Sequence, residues 1–215
     1  MGAVILLSPV AVATGMISTK GAFETSELRE NMRLVVQSTT SQDALDVYEA
    51  IRKANPSGLG TAPRLDVNDP DSVSRILAEK TSLYQVFKIA ESYDTVCSEW
   101  VNNYPITFDF AYPFLNEQIR NARESNEAII HTFLRVLAEY PDTFITRKVG
   151  LEKSKEVSWK AKEILQSGIA TEKGKEQLDE FDKELRRSSN LLNPGTTADI
   201  IATALALCVL GGYRP

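Results

Sequence analysis

Cysteine and histidine are scarce in this chain, which has two cysteines and one histidine among 215 residues. A zinc site takes about four such ligands, usually at short spacings along the sequence. Cys97, His131 and Cys208 are far apart, so the sequence argues against a zinc centre. Two distant cysteines also form no disulfide framework, and they predict reduced thiols in a cytoplasmic protein.

Three glycine signatures are missing as well. The chain has no Gly-x-x-x-x-Gly-Lys-Ser/Thr loop, no Gly-x-Gly-x-x-Gly after a strand and no Gly-x-Ser-x-Gly turn. Their absence argues against a Walker-type ATPase, a dinucleotide-binding dehydrogenase and an α/β-hydrolase. A basic surplus is also missing, since the formal net charge is −5, and this argues against a general nucleic-acid binder.

The apolar stretch of residues 3–13 is too short to cross a membrane. A spanning helix needs roughly 18 residues, and Pro9 interrupts this stretch. The basic flank of a signal peptide is absent too. We therefore predict a buried core helix, kinked at Pro9, in a protein without a membrane span.

Hydrophobic residues recur along the chain with a period near 3.6, and no segment alternates for long as a half-buried strand would. The pattern predicts an all-α, multi-helix bundle in a single domain over residues 1–215. Thr40 is expected to cap one helix. A long helix is expected over residues 83–104, with Asp94 beside its apolar stripe. Residues 105–113 should form a bent aromatic connection, and residues 200–210 a buried apolar C-terminal helix.

The start of that last helix is the first candidate site. In the segment of residues 193–199, Pro194 and Gly195 break the preceding helix. Thr196 then has the spacing of an N-cap, with Asp199 in a capping-box-like position three residues later. Such a start directs backbone N–H groups and the positive end of the helix dipole out of a glycine turn. It therefore predicts a place where a phosphate binds.

A second candidate lies at Pro141 and Asp142, with Arg147 and Lys148 one turn later. An acid at a helix start followed by two cations suits a triphosphate and its Mg²⁺. The simpler interpretation is that Asp142 caps a helix and the cations are surface charges. His131 stands on the preceding helix, where it is either a structural hydrogen-bonding group or a proton shuttle.

A third candidate is the loop that contains Pro56, Gly58 and Gly60 and leads to Asp66. Closely spaced proline and glycine require a specific backbone path, along which backbone can approach a ligand. An ordinary helix stop would have the same composition. The loop alone does not decide between these two interpretations.

Taken together and in order, these segments resemble one known family. The similarity rests on residues 44–51 (ALDVYEAI), 56–60 (PSGLG), 66–67 (DV), 90–94 (AESYD), His131, 141–143 (PDT), 147–148 (RK) and 192–199 (LNPGTTAD). The chain is similar over nearly its whole length to the triphosphoribosyl-dephospho-CoA synthases. This resemblance implies an all-α transferase that acts on ATP and 3′-dephospho-CoA, with adenine released and the triphosphate retained.

On that resemblance we expect three aspartates, Asp94, Asp142 and Asp199, to compete for the base and metal roles, with the metal ligands left unassigned. Mg²⁺ is implied as the partner of ATP. The residues expected to bind the substrates are Arg147, Lys148, His131, Asn193, Gly195, Thr196, Gly58, Gly60 and Asp66.

The family also has upstream segments, a Pro-Lys-Pro-Gly-Asn-type motif and an Asn-Thr-containing glycine turn, and neither occurs here. We therefore expect the chain to be the larger, C-terminal part of a longer family domain. Two alternatives stay open. One is a related ribosyl-phosphate transferase with a different acceptor, and the other is a non-catalytic helical module that binds a nucleotide. A homo-oligomeric state is also left open.

Overall fold

A computed structural model describes residues 1–17, 24–56, 59–121 and 124–214, except for the side chains of residues 188 and 189. Over these ranges the chain is helical and has no strand, which confirms the all-α prediction. No helix in the described ranges is long and apolar enough to cross a membrane. The α-helices are α1 (Gly2–Met16), α2 (Thr25–Gln37), α3 (Ser41–Ala54), α4 (Asp71–Glu79), α5 (Leu83–Ala90), α6 (Thr95–Val101), α7 (Tyr112–Arg120), α8 (Ser125–Glu139), α9 (Thr143–Val149), α10 (Leu151–Ser167), α11 (Glu172–Asn190) and α12 (Gly195–Leu210).

The helices form two compact units, Met1–Tyr104 and Pro105–Pro215. The first unit contains α1 to α6, and the second contains α7 to α12 together with a π-helical turn, Thr107–Ala111. The prediction of a single domain that belongs to a longer family domain stays a prediction.

In the first unit, α1 continues through Pro9, as predicted. Proline has no backbone N–H, so the carbonyl of Ile5, four residues earlier, loses its usual helical donor. The indole N–H of Trp100 donates to that carbonyl at 2.9 Å. The hydroxyl of Tyr104 donates to the next carbonyl, that of Leu6, at 3.0 Å. Trp100 therefore supplies the hydrogen-bond donor that Pro9 lacks, and Tyr104 adds a second donor to the same turn of α1.

The prediction that α1 is buried was only half right. One face is buried, by Leu6, Pro9, Val10 and Ala13. The other face is open, and Val4 and Val12 are 68% and 54% exposed. Uniform apolarity identifies a helix but does not tell which faces its neighbours cover, and in the first unit α1 packs on α2 and α6.

The predicted long helix over residues 83–104 was wrong, because the chain breaks into α5 and α6. Asp94 lies at the break, where its carboxylate accepts the backbone N–H of Cys97 at 3.2 Å and caps α6. Short polar side chains such as aspartate compete with helical backbone hydrogen bonds and favour helix starts. The apolar residues keep their helical spacing across the break, so the sequence pattern did not indicate that the helix ends there.

The predicted bent connection over residues 105–113 was also wrong, since this segment is helical and contains the π-helical turn. Pro113 cannot donate to the carbonyl four residues earlier. The backbone N–H of Tyr112 donates instead to the carbonyl of Thr107, five residues back, which widens the turn. The wider turn keeps the helix continuous into α7.

Two other predictions are confirmed. Thr40 caps α3 in a full capping box with Asp43. The C-terminal helix α12 is buried along most of its length, with Ile200 and Leu207 at 1% and 0% exposure. In the second unit, Ile145 of the short helix α9 is fully buried in a core that α8, α10 and α11 also supply. That packing fixes the position of α9, which carries the candidate site.

Candidate functional site

The carboxylate of Asp142 joins the starts of two helices in the second unit. One oxygen, Oδ1, accepts the backbone N–H groups of Phe144 and Ile145 at 2.8 and 3.2 Å, and so caps α9. The other oxygen, Oδ2, accepts the backbone N–H and the hydroxyl of Thr197 on α12, at 2.8 and 2.9 Å. Asp142 therefore acts as the anion at the N-termini of both helices.

Asp142 is only 2% exposed, so its surroundings determine its chemistry. Burial raises its pKa, while the hydrogen bonds, those from Thr197 first, lower it again. A raised pKa suits a group that exchanges protons. Both oxygens are nevertheless buried and occupied by protein donors. The geometry therefore favours a positioning role over direct contact with a substrate.

The start of α12 differs from the predicted capping box, which was wrong. The helix begins at Gly195 after Pro194, and no side chain of its own caps it. Thr196 is already helical, and its hydroxyl lies 3.3 Å from that of Thr143 at the start of α9. The cap comes from Asp142 on another element, which no local spacing could reveal.

Gly195 is required at this corner by the ring of Phe144. A Cβ at position 195 would lie 2.9 Å from Cδ1 of that ring, closer than real Cβ contacts allow. The same ring carries two cations: Nζ of Lys148 is 3.7 Å and Cζ of Arg147 is 5.7 Å from its centroid. Both predicted cations therefore lie beside the α9–α12 corner, defined here as Asp142 to Lys148 together with Gly195 to Thr197.

Lys148 is partly buried at this corner, where its ammonium donates to the carbonyl of Asn190 at 3.2 Å. Burial lowers its pKa, Asp142 raises it and Arg147 lowers it further. A second cation nearby thus disfavours the charge on Lys148. A bound anion would offset the repulsion between the two cations and would favour the charged form of Lys148, as expected at an anion-binding site.

The structure places three other predicted residues of this unit as follows. The carbonyl of Asn193 accepts the N–H of Gly195 at 2.9 Å and closes the turn before α12, while the residue itself is exposed. Asp199 is half-buried, one turn into α12. His131 lies on α8 with its ring edge-on to Phe114, at 5.0 Å between centroids.

In the first unit, Gly58 lies outside the described residues, and Gly60 adopts a left-handed φ of 69°. The carboxylate of Asp66 accepts the backbone N–H groups of Ala62 and Asn68 at 2.5 and 2.7 Å, so it organises its own loop. Asp94 caps α6 as described above. Both acids have local structural contacts, and their catalytic or binding roles stay predictions.

The sequence reasoning missed Tyr48 as a part of this loop. Its buried hydroxyl donates to the carbonyl of Leu65, a residue with a left-handed φ of 51°. Burial, with Asp66 and Tyr93 adding to it, raises the pKa of Tyr48 to about 12. In the sequence, Tyr48 stood only as one residue of the 44–51 segment, and no role was assigned to it. Phe144 and Thr197 were missed as well: Phe144 lies between the quoted segments 141–143 and 147–148, and Thr197 lies within the segment 192–199 with no role assigned.

Comparisons with known proteins point to one family. The family model described as ATP:dephospho-CoA triphosphoribosyl transferase matches residues 1–215. The 2-(5''-triphosphoribosyl)-3'-dephosphocoenzyme-A synthase of Klebsiella pneumoniae is 32% identical over 93 residues, which make up 43% of this chain and 30% of that protein. A crystal structure from Archaeoglobus fulgidus, of a protein proposed to be a triphosphoribosyl-dephospho-CoA synthase, is 25% identical with a TM-score of 0.78. That match covers 99% of this chain and 83% of the archaeal one. The chain thus matches less than a third of the length of the Klebsiella relative.

Proposed function

The chain belongs to the ATP:dephospho-CoA triphosphoribosyl transferase family, and we propose that it moves the triphosphoribosyl group of ATP to 3′-dephospho-CoA. In this reaction the bond between ribose C1 and adenine breaks, and a bond between C1 and a hydroxyl oxygen of dephospho-CoA forms. The hydroxyl proton leaves with a base, and adenine takes up a proton as it departs. The triphosphate stays on the product.

The observation that supports this proposal is the α9–α12 corner. Arg147 and Lys148 both lie beside the ring of Phe144 there, next to the two helix starts that Asp142 caps. A triphosphate carries several negative charges, and preorganised cations stabilise such charges without reorganisation. We assign the triphosphate to this corner, with Lys148 and Arg147 as its cationic contacts.

Asp142 is assigned a positioning role in this scheme. Its carboxylate holds the start of α9 against the start of α12. Asp199, which lies on α12 of the same unit, is proposed as the base or as the group that stabilises positive charge at ribose C1. The catalytic role of Asp94 and the binding role of Asp66 stay predictions. Asn193, Gly195, Thr196, His131 and Gly60 remain proposed substrate contacts.

Mg²⁺ is proposed to arrive with ATP rather than to reside in the protein. Among the described residues no three His, Cys, Asp or Glu side chains are grouped so that they could hold a metal ion. Mg²⁺ in nucleotide sites is commonly held by substrate phosphates with few protein carboxylates. The corner residues therefore fit a metal–triphosphate substrate better than a dedicated metal site.

A cytoplasmic location is proposed as well. The two cysteines, Cys97 and Cys208, are far apart in sequence and form no disulfide framework of the kind that secreted proteins have, which fits a reducing compartment.

The test is adenine release from ATP and dephospho-CoA, followed by mass spectrometry of the product. Lys148→Ala and Arg147→Ala should each lower kcat/KM by about tenfold or more, because each removes a charge contact to the triphosphate. Lys155→Ala is the matched control, since Lys155 pairs with Glu152 on the surface of α10. CoA, offered in place of dephospho-CoA, tests the acceptor. Wild-type protein that releases no adenine with dephospho-CoA would refute the proposal, whatever the result with CoA.

A further inference from the structure

A group of aromatic and basic side chains forms a second surface on the same unit. Phe110 in the π-helical turn and Phe114 on α7 are four residues apart, and His131 and Arg135 on α8 have the same spacing. Cζ of Arg135 lies 4.2 Å from the ring centroid of Phe114 and 5.0 Å from that of Phe110. We call these residues, with Tyr140, the aromatic platform.

The rings of the platform are ordered by edge-to-face contacts. His131 is edge-on to Phe114 at 5.0 Å, and Tyr140 is edge-on to Phe110 at 5.4 Å, with interplanar angles of 85° and 88°. The four rings are half-buried, whereas Arg135 is exposed. Its guanidinium is therefore backed by two rings and open to solvent on its outer side. π-helical turns such as the one that carries Phe110 recur at functional sites.

The aromatic platform borders the α9–α12 corner. Tyr140 precedes Asp142 by two residues, so their Cα atoms are at most about 7 Å apart. In addition, α12 packs against both the π-helical turn and α7. A ligand whose phosphates bind at the corner therefore has this surface beside it.

We propose that the aromatic platform binds an adenine ring, stacked on the outer side of the Arg135 guanidinium with His131 at its rim. Guanidinium planes and aromatic rings are the surfaces on which proteins stack purine bases. The inference rests on the proposed function, because ATP and dephospho-CoA both carry adenine. The shared chemistry is the adenine ring, and the experiment decides which substrate supplies it.

The experiment measures binding by calorimetry to the full chain, in parallel titrations with ATP, dephospho-CoA and inorganic tripolyphosphate. Arg135→Ala should weaken binding of the platform's substrate by about tenfold, as expected for the loss of one base stack. Arg135→Lys keeps the positive charge but removes the planar guanidinium, so it should weaken binding of the same substrate nearly as much. Tripolyphosphate has no base, so both variants should bind it as the wild type does. Arg186→Ala, whose parent side chain pairs with Asp182 on α11, is the matched control.

The outcomes separate this inference from the proposed function. Loss of affinity confined to ATP, or confined to dephospho-CoA, supports the aromatic platform and identifies the source of the base. Unchanged affinity for both in the two Arg135 variants, or an equal loss for tripolyphosphate, overturns it. Wild-type protein that binds neither nucleotide overturns it too. Arg135-dependent binding without adenine release leaves the aromatic platform standing and refutes the transferase.

Discussion

Replacing Asp142 by asparagine should break one of the two helix starts that its carboxylate holds. An asparagine side chain can keep its oxygen on the two α9 N–H groups, which places its NH₂ group against the N–H of Thr197. That backbone donor is then buried without an acceptor, at a cost of about 1–3 kcal/mol, and the facing donors add repulsion. We expect Asp142→Asn to lower the free energy of unfolding by about 2–4 kcal/mol.

Urea unfolding followed by circular dichroism measures this loss, and amide hydrogen exchange locates it. The chain should stay folded, because domains of this size have about 5–15 kcal/mol of stability. In Asp142→Asn the amide of Thr197 should exchange faster, while that of Ile145 keeps its protection. Thr197→Val removes only the hydroxyl bond and should cost about 1 kcal/mol.

Asp182→Asn is the control for the chemical change, since Asp182 pairs with Arg186 on the exposed side of α11. Its effect should stay within about 0.5 kcal/mol. If Asp142→Asn also changes the free energy of unfolding by less than about 0.5 kcal/mol, the cap that Asp142 provides to α9 and α12 contributes little to stability. Equal loss of protection at Thr197 and Ile145 would show that the amide adopts no single orientation, and would contradict the reasoning.

Three further changes test other parts of the fold. Trp100→Phe should lower the free energy of unfolding, measured in urea, by about 1–2 kcal/mol. The loss should be clearly smaller in a Pro9→Ala background, because the backbone N–H of the alanine can donate to the carbonyl of Ile5. Equal losses in the two backgrounds would contradict the role of the Trp100–Ile5 hydrogen bond. Gly174→Ala should lower the melting temperature, although alanine usually favours a helix. The reason is that its Cβ would lie 2.0 Å from the backbone carbonyl oxygen of Gly168. A higher melting temperature would rule this clash out. Burial raises the pKa of Cys208 to about 11, so native protein treated with iodoacetamide at pH 8 should be labelled at Cys97 first; labelling of both at one rate would be inconsistent with that burial.

Helical structure and several helix starts were readable from the sequence because they depend on residues within one turn of each other. Thr40 caps α3 through Asp43, and the simpler interpretation of Asp142, that it caps the helix containing Ile145, is confirmed. The nearly continuous apolar sequence of residues 200–210 also identified α12 as a buried helix. The same local reasoning failed in two opposite ways. At Asp94 an apolar pattern ran through a break between two helices, and at Pro113 the proline indicated a bend where a π-helical turn keeps the helix continuous.

The contacts that make the α9–α12 corner were beyond the sequence. Asp142 and Thr197 are 55 residues apart, and Trp100 and Ile5 are 95 residues apart. A buried carboxylate or indole needs a hydrogen-bond partner, but its position in the sequence does not tell which residue that partner is. Local spacing therefore determined which residues are helical and which are charged, and only tertiary packing decided that one buried acid would hold two helix starts together beside two cations.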